Sequence, residues 1–156
     1  AAPADVEVSH VGPADRSALA ETMVAAFSSL DAGGVGGDEI PAVDEMRRWL
    51  DTMTRLDGFR GYVARLEGRI VGGGSLRVDG EIAQFIGAGT LPAYRRRGVQ
   101  TALLRARLAD AASAGCSVAV IVTQPASKSQ QNAQREGFAL LCARQLLVKP
   151  PSAVRA

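Results

Sequence analysis

One stretch of the sequence leads from a predicted strand through a basic turn into a predicted helix: Gly87-Ala-Gly-Thr-Leu-Pro-Ala-Tyr-Arg-Arg-Arg-Gly-Val-Gln-Thr-Ala-Leu103. The first amides of a helix have no intrahelical acceptors, and the helix dipole places partial positive charge beside them. Gly98 permits close approach of the backbone, and Arg95, Arg96 and Arg97 add full charges. This combination predicts an anion site suited to a pyrophosphate group.

Other phosphate-binding patterns do not fit the chain. A GxxxxGK[ST] loop needs a lysine after its second glycine, and no such run occurs. A GxGxxG loop that starts at Gly87 fails because Pro92 occupies the position of the third glycine. A solvated basic turn stays an alternative, although three arginines at a helix start oppose the helix dipole.

Outward from the turn, the hydrophobic periodicity predicts a mixed α/β domain with a mostly antiparallel central sheet and about four flanking helices. The predicted order is β-α-α-β-β-β-α-β-α-β-β. The predicted strands cover residues 6–11, 59–66, 70–78, 81–90 and 117–123, with one or two more in 138–148. The predicted helices cover residues 15–29, 41–56, 98–114 and 127–136, with Asp15 as the cap of the first. We expect a single domain over residues 1–156, with a glycine-rich loop at 31–38 and loose termini at 1–5 and 150–156.

The composition argues against several classes of protein. A formal net charge of +2 is too small to indicate nucleic acid as a partner. No apolar run approaches the ~20 residues of a membrane span, and the first residues do not resemble a signal peptide. A single histidine and two distant cysteines offer no metal site. Cys116 and Cys142 are predicted to be buried, reduced thiols, so we expect a cytoplasmic protein.

The turn and its surroundings resemble the acetyl-CoA signature of the GCN5-related N-acetyltransferase (GNAT) superfamily. The family pattern is Arg/Gln-x-x-Gly-x-Gly/Ala after a Pro-x-Tyr-Arg approach, and residues 91–104 are similar to it. The closing Gly-Phe of the family has its counterpart in Gly137-Phe138. The resemblance covers residues 59–148 well, and the first third of the chain only in the order of elements. It implies an enzyme with acetyl-CoA as co-substrate and an amine as acceptor, while monomer and homodimer both stay open.

The resemblance also implies where the cofactor binds. The amides of residues 97–102 would hold the pyrophosphate, and the exposed strand edge at 88–90 would bind the pantetheine arm like an added strand. The thioester would lie where this strand separates from 117–123, with the amine entering from the opposite side, between the two N-terminal helices and the last strand pair. The expected cofactor-binding residues are Ala88, Gly89, Thr90, Leu91, Arg95, Arg96, Arg97, Gly98, Val99, Gln100, Thr101, Ala102, Ser127, Ser129, Asn132 and Arg135.

The sequence departs from the family pattern in ways that bear on catalysis. Gln100 takes the place of the second Gly/Ala, where its carboxamide can contact a phosphate. Ala133 replaces a tyrosine that protonates the departing thiolate in many members, and Ala126 replaces the usual asparagine. Water or a serine is then the expected acid. Glu81 is the candidate base, with an exposed strand end as the alternative interpretation.

The helix that begins near Ser127 is rich in hydroxyl and amide side chains. Helix capping and contact with pantetheine fit Ser127 and Ser129 equally well. Asn132 is a further candidate for pantetheine. Arg135 is a candidate for a cofactor phosphate, although an exposed helix arginine is the default.

These observations predict an N-acetyltransferase in which a neutral amine attacks the thioester directly. A catalytically silent acetyl-CoA sensor is the alternative, since Ala133 lacks the expected hydroxyl. A nucleic-acid-binding domain that uses the arginine turn is a third hypothesis. The acceptor, whether a small amine, a peptide N-terminus or a lysine, is not identified; its pocket is expected around Phe27, residues 31–39 and Trp49.

Overall fold

The structure is a computed structural model that describes residues 5–28 and 42–143. Within these ranges five strands form one sheet, and four α-helices pack against it. The strands are β1 (Glu7–His10), β2 (Phe59–Leu66), β3 (Arg69–Asp79), β4 (Ile82–Thr90) and β5 (Val118–Ile121). The helices are α1 (Arg16–Ser28), α2 (Val43–Met53), α3 (Val99–Ser113) and α4 (Lys128–Arg135). Short 3-10 turns at Pro13–Asp15 and Pro92–Tyr94 precede α1 and α3.

The sheet keeps the chain order β1-β2-β3-β4-β5. Strands β1 to β4 run antiparallel, and β5 is parallel to β4. Glu67 and Gly68 connect β2 and β3 with φ values of 52° and 74°, the positive values that a tight two-residue hairpin requires. The parallel strand β5 needs a long crossover, which α3 supplies. The predicted meander and mixed sheet are confirmed.

Strand β4 contains one extra residue near its middle. Its register with β3 passes from Ile86 opposite Ser75 to Ala88 opposite Gly74, which leaves Gly87 unpaired at φ 38°. Such a bulge disrupts the ladder and bends the strand. Strand β5 pairs with β4 only up to Phe85, so the two strands separate just before the bulge. In the described part of the chain, β4 therefore has an open edge from Ile86 to Thr90.

The sheet carries a hydrophobic core on each face. Strand β2 shows the alternation directly, because Tyr62 and Ala64 pack in the core beneath α3, and Val63 packs against α1 and α2. The glycines of β3 let α1 approach closely. A Cβ atom added at Gly73 would lie 2.4 Å from Leu19 Cδ1, so any side chain there would displace α1. The two cores fix both helix layers relative to β3 and β4.

Asp15 has a different role from the predicted helix cap. Helix α1 begins at Arg16, and the Asp15 carboxylate turns back to accept hydrogen bonds from the Gly12 amide (3.0 Å) and Arg65 Nη2 (2.6 Å). The Gly12 amide and the Arg65 guanidinium lower the pKa of Asp15. The prediction failed because a 3-10 turn already begins at Pro13, so Asp15 lies within the first turn, where its carboxylate accepts from Gly12 N and also binds Arg65.

Five further predictions need correction or fall outside the described residues. Residues 138–143 form no strand, and the remainder of the predicted C-terminal strands lies outside the description. Strand β5 is not covered on both faces, since Val118 and Val120 are 50% and 37% exposed. Cys116 is half-buried but Cys142 is exposed, and both are free thiols. The predicted glycine loop 31–38 and the C-terminal segment 150–156 also lie outside the description.

No helix in the described ranges combines the length and the apolarity that crossing a bilayer demands.

Candidate active site

The start of α3 leaves backbone donors unused. Gly98 precedes the helix at φ 80° and ψ 4°, a left-handed conformation that glycine adopts without a steric penalty. No side chain caps the helix, and the first turn closes only with Ala102 N donating to Gly98 O (3.0 Å). Among the described residues, the amides of Val99, Gln100 and Thr101 have no acceptor. These donors can bind an anion together with the helix dipole.

The three arginines of the turn have different environments. Arg95 is half-buried and donates to Thr90 O (3.4 Å) and Ala26 O (3.3 Å), so it ties the end of β4 to α1. Arg97 lies 5.7 Å from the centre of the Tyr94 ring and forms a long, exposed ion pair with Glu67 (3.9 Å). Arg96 is exposed at φ 62°. Arg96 and Arg97 are therefore the cations best placed to meet a ligand, while Arg95 is engaged by the protein.

The Gln100 carboxamide, which we expected to contact a phosphate, has a partner within the protein. Its Nε2 donates to Thr90 Oγ1 at 3.0 Å, and Thr90 is only 7% exposed. The buried hydroxyl needs a hydrogen-bond partner, and Gln100 supplies it. The contact holds the start of α3 against the end of β4.

The predicted strand edge lies beside this turn. Ala88, Gly89 and Thr90 pair with β3 on one side only. The next amide, Leu91 N, donates to Val71 O (2.9 Å) and is thereby used within the sheet. The structure thus brings residues 88–90, the edge that the family resemblance implies, next to the α3 start.

The polar side chains of α4 are largely engaged within their own helix. The Ser127 hydroxyl accepts from Gln130 N (3.1 Å) and donates to Gln124 O (2.7 Å), which is the capping role. Arg135 Nη1 donates to Asn132 Oδ1 (3.2 Å). Ser129 is exposed. Ser127, Asn132 and Arg135 therefore have structural partners where a cofactor was expected.

Glu81 lies at the opposite end of β4 from the turn. Its Oε2 accepts from Ser117 Oγ (2.9 Å), and its carbonyl accepts from the amides of Ser117 and Val118. Seven residues separate it from Ala88, which corresponds to roughly 23 Å along a strand. The structure does not bring the candidate base together with the other predicted site residues.

Arg107 is a buried charge that the sequence analysis did not single out. It is 1% exposed, and it donates from Nε to Leu103 O (3.0 Å) and from Nη1 to Ser75 O (3.2 Å). Its Nη2 has no partner among the described residues, and its guanidinium lies 4.8 Å from the centre of the Phe85 ring. Burial lowers the pKa of Arg107 to about 10, which leaves it charged at neutral pH.

The position of Arg107 is next to the bulge. A Cβ atom at Gly74, the partner of Ala88, would lie 3.3 Å from the guanidinium carbon. The charge therefore sits beneath the place where β4 and β5 separate. The sequence could have indicated that Arg107 is buried, because it follows Leu103 by four residues and so lies on the same face of α3.

A second titratable cluster ties β1 and β2 to α3. Asp110 Oδ2 accepts from Tyr62 OH (2.7 Å) and contacts His10 Nε2 (2.6 Å). Burial and the bond to Asp110 raise the pKa of Tyr62. Tyr62 is thus a structural hydroxyl. Within residues 5–28 and 42–143, no group of three or more His, Cys, Asp or Glu residues could hold a metal ion.

A cavity of about 370 Å³ lies between α1, α2 and the sheet. Its apolar walls come from Leu19, Met23, Phe27, Met46, Trp49 and Leu50. Its sheet side includes Ser75 and Ile86, and it reaches Gly87 at the bulge. Phe27 and Trp49, two of the residues predicted for an acceptor pocket, both line it. The cavity therefore meets the open edge of β4 from the face opposite α3.

Known proteins resemble this chain in sequence pattern and in fold. A model of the acetyltransferase (GNAT) family matches residues 24–138. Among curated proteins none matches. Several solved structures share the fold.

An acetyltransferase from Trypanosoma brucei is 21% identical, with a TM-score of 0.68, and the match covers 94% of this chain and 100% of that one. The aminoglycoside N-acetyltransferase AAC(6')-Iy in complex with CoA is 17% identical, with a TM-score of 0.67 and coverage of 94% and 95%. The ribosomal-protein-S18-alanine N-acetyltransferase from Escherichia coli is 13% identical, with a TM-score of 0.69 and coverage of 88% and 79%. At these identities the structures support the fold. The family match spans most of the chain and confirms the resemblance drawn from the arginine turn: the chain belongs to the GNAT family of acetyltransferases.

Proposed function

We propose that this protein transfers an acetyl group from acetyl-CoA to a primary amine, and that the turn before α3 binds the pyrophosphate. The observation that carries the proposal is the set of free amides at Val99, Gln100 and Thr101 beside the open edge of β4. Arg96 and Arg97 add positive charge at the same place. Membership in the acetyltransferase family supports the same chemistry.

The pantetheine arm would then follow β4 towards the bulge. Because β5 pairs only as far as Phe85, the edge at Ala88–Thr90 can receive an extended chain as a further strand. About four residues of strand separate Gly87 from Leu91, roughly 13 Å, so an arm that starts at the turn brings its thioester near Gly87. The cavity reaches Gly87 from the other face, and we assign the acceptor amine to it.

The reaction is a direct displacement. The lone pair of the neutral amine attacks the thioester carbonyl, the C–S bond breaks, and CoA leaves as a thiolate that takes up a proton. Holding the two reactants at one point supplies much of the acceleration. Amides of β4 would polarise the carbonyl, and the buried charge of Arg107 beneath the bulge favours developing negative charge.

Proton transfer needs a base other than Glu81, and water, already an expected acid, can serve in both steps. Ala133 is buried and has no hydroxyl, and Glu81 is held by Ser117 at the far end of β4. We therefore propose that water takes the proton from the ammonium and delivers one to the thiolate. A thiol has an ordinary pKa near 8.5, so the thiolate leaves with modest help.

Two measurements test the proposal. Calorimetric titration should show that acetyl-CoA binds, and a free-thiol assay should then show CoA release that depends on an added amine. If acetyl-CoA does not bind, the proposal is wrong. Tight binding of acetyl-CoA with no amine-dependent release of CoA across a broad panel of amines would favour a sensor without catalytic activity. The buried Ala133, which has no hydroxyl, is the observation behind this alternative.

A further inference from the structure

The cavity has a composition that selects its ligand. Six apolar side chains from α1 and α2 form its walls, and two of them, Phe27 and Trp49, are aromatic. Among the described residues that line it, Glu45 is the single charged one. A pocket of this kind holds a ligand by burying apolar surface and orients it with a few polar groups.

We infer that the acceptor is a small primary amine with one positive charge and an apolar body, such as an aralkylamine. This inference rests on the proposed function and names the substrate class of the same site. The volume of about 370 Å³ falls within the range of pockets that enclose small organic ligands. The apolar body would lie against Met46, Trp49 and Leu50, and the amine would reach Gly87 at the bulge.

Charge separates this acceptor from a polycationic one. Each ammonium group that enters an apolar cavity loses its hydration and needs an anionic or hydrogen-bonding partner. In the described lining, Glu45 and the polar Ser75 are the side chains able to provide one. An aminoglycoside carries several ammonium groups, and within the described lining a single carboxylate would face them.

Glu45 is placed to attract the single cation as it enters the cavity, before the neutral amine reaches Gly87. It lies in the first turn of α2, and its Oε2 accepts from Ala42 N at 3.0 Å. That bond engages one carboxylate oxygen, and among the described residues the other oxygen of this exposed side chain has no hydrogen-bond partner. We assign Glu45 as a specificity-determining residue. Its neighbour Asp44 is bound to Arg47 Nη1 (3.1 Å) and does not line the cavity, which makes it a matched control.

Trp49 gives a readout of binding that does not depend on catalysis. It is the only tryptophan of the chain and it lines the cavity. Titration with 2-phenylethylamine should change its fluorescence with saturation, whereas ethanolamine, with the same charge and no apolar body, should bind at least ~30-fold more weakly. Equal binding of the two amines would overturn the inference.

Turnover and variants provide the second test. With acetyl-CoA present, kcat/KM for 2-phenylethylamine should exceed that for sisomicin and for a peptide with an N-terminal alanine by at least ~10-fold. Glu45→Gln should raise KM for 2-phenylethylamine about fivefold or more with little change in the KM for acetyl-CoA. Asp44→Asn should leave both values within twofold. An equal loss in the two variants would remove Glu45 from the site.

The outcomes separate this inference from the proposed function. If sisomicin or the peptide is the better acceptor, the inference is wrong and the acetyltransferase proposal stands. If 2-phenylethylamine saturates the Trp49 signal but no amine releases CoA, the cavity's selectivity is supported and the proposed function fails. If 2-phenylethylamine neither changes the fluorescence nor reacts, the inference is overturned.

Discussion

Two helices of this molecule begin with opposite hydrogen-bonding arrangements. Helix α3 starts after a left-handed Gly98, has no capping side chain and leaves three amides without acceptors in the described chain. Helix α4 is capped by Ser127, whose hydroxyl accepts from Gln130 N, while Gln130 Oε1 accepts from Ala126 N (2.6 Å). The sequence is polar at both helix starts, but of the two only the start of α3 has backbone amides without acceptors in the described chain.

The difference shows how to separate a binding site from a stable helix end. A cap satisfies the orphan donors and stabilises the helix by about 1 kcal/mol. A helix that does without a cap gives up that stabilisation and keeps its donors for a ligand. We therefore assign the pyrophosphate to α3 and a structural role to the start of α4. Four experiments can break or sharpen this contrast.

The largest effect is expected from a carboxylate at Gly98. Gly98→Asp would place a negative charge against the pyrophosphate, and acetyl-CoA affinity should fall by at least ~100-fold, or about 2.7 kcal/mol. Gly98→Asn is the matched control, because asparagine has the same shape, tolerates the left-handed conformation and carries no charge. It should lose less than ~10-fold. Titration calorimetry measures both, and unchanged binding by Gly98→Asp would exclude the turn as the site.

Removing the two exposed cations of the same turn should have a smaller effect. The double variant Arg96→Gln/Arg97→Gln should weaken acetyl-CoA binding about tenfold at low salt, since exposed charges act through a screened field. The difference in acetyl-CoA affinity between this variant and the wild type should become smaller as NaCl is raised from ~0.05 to ~0.5 M. Arg77→Gln, at an exposed position of β3, is the control and should bind normally. A difference in affinity that does not depend on salt would contradict an electrostatic role of Arg96 and Arg97.

At the start of α4 we expect stability to change and binding to persist. Ser127→Ala should lower the free energy of unfolding by about 1 kcal/mol, because the Gln130 amide loses its acceptor. Acetyl-CoA affinity should stay within twofold. Ser129→Ala, at an exposed position one residue into α4, should change stability by less than ~0.5 kcal/mol. Urea unfolding measures the stability of both variants, and calorimetry measures their acetyl-CoA affinity. A loss of affinity in Ser127→Ala alone would make Ser127 a cofactor-binding residue again.

The smallest effect concerns the ion pair that joins the two helices. Arg105 on α3 donates to Glu136 through Nε (2.8 Å) and Nη2 (3.0 Å), and these bonds lower the pKa of Glu136. A carboxyl with a lowered folded-state pKa stabilises the fold above its ordinary value of 4.5 and loses that contribution as the pH falls through the folded-state pKa. Arg105→Gln should therefore melt slightly earlier at pH 7.

The melting-temperature difference for Arg105→Gln should shrink steadily below pH 4.5 and vanish when Glu136 is protonated in both states. Arg105→Lys should show part of the wild-type behaviour. A melting-temperature difference that grows as the pH falls would contradict this prediction. A change in acetyl-CoA affinity would mean that the two helix starts are coupled.

Local patterns predicted much of the fold. The meander follows from alternation and from glycine turns such as Glu67-Gly68, and the start of α3 follows from Gly98 after a basic run. Both depend on residues close together in the chain. The predicted edge at residues 88–90 lies beside that helix start for the same reason.

Several residues have roles that depend on contacts which the sequence pattern does not show. Asp15 was expected to cap a helix, but it binds Arg65, which is 50 residues away. Gln100 was a candidate for a phosphate contact, and its carboxamide donates to the buried Thr90 hydroxyl. Arg107 has a helical spacing that places it in the core, yet only packing shows that its charge lies beneath the bulge. Composition alone does not reveal such partners.

The single extra residue in β4 also sets which way the strand's later side chains face. Before Gly87, odd-numbered Phe85 faces Arg107, whereas after it even-numbered Ala88 and Thr90 face the α3 side. Shortening the strand by one residue would invert this parity from position 88 onward. Thr90 would then turn away from Gln100 towards α1, where a Cβ at Gly89 would already lie 2.9 Å from Ala26 Cβ. The length of β4 is therefore fixed to the residue, and Gly87 determines which side chains of residues 88–90 face α3.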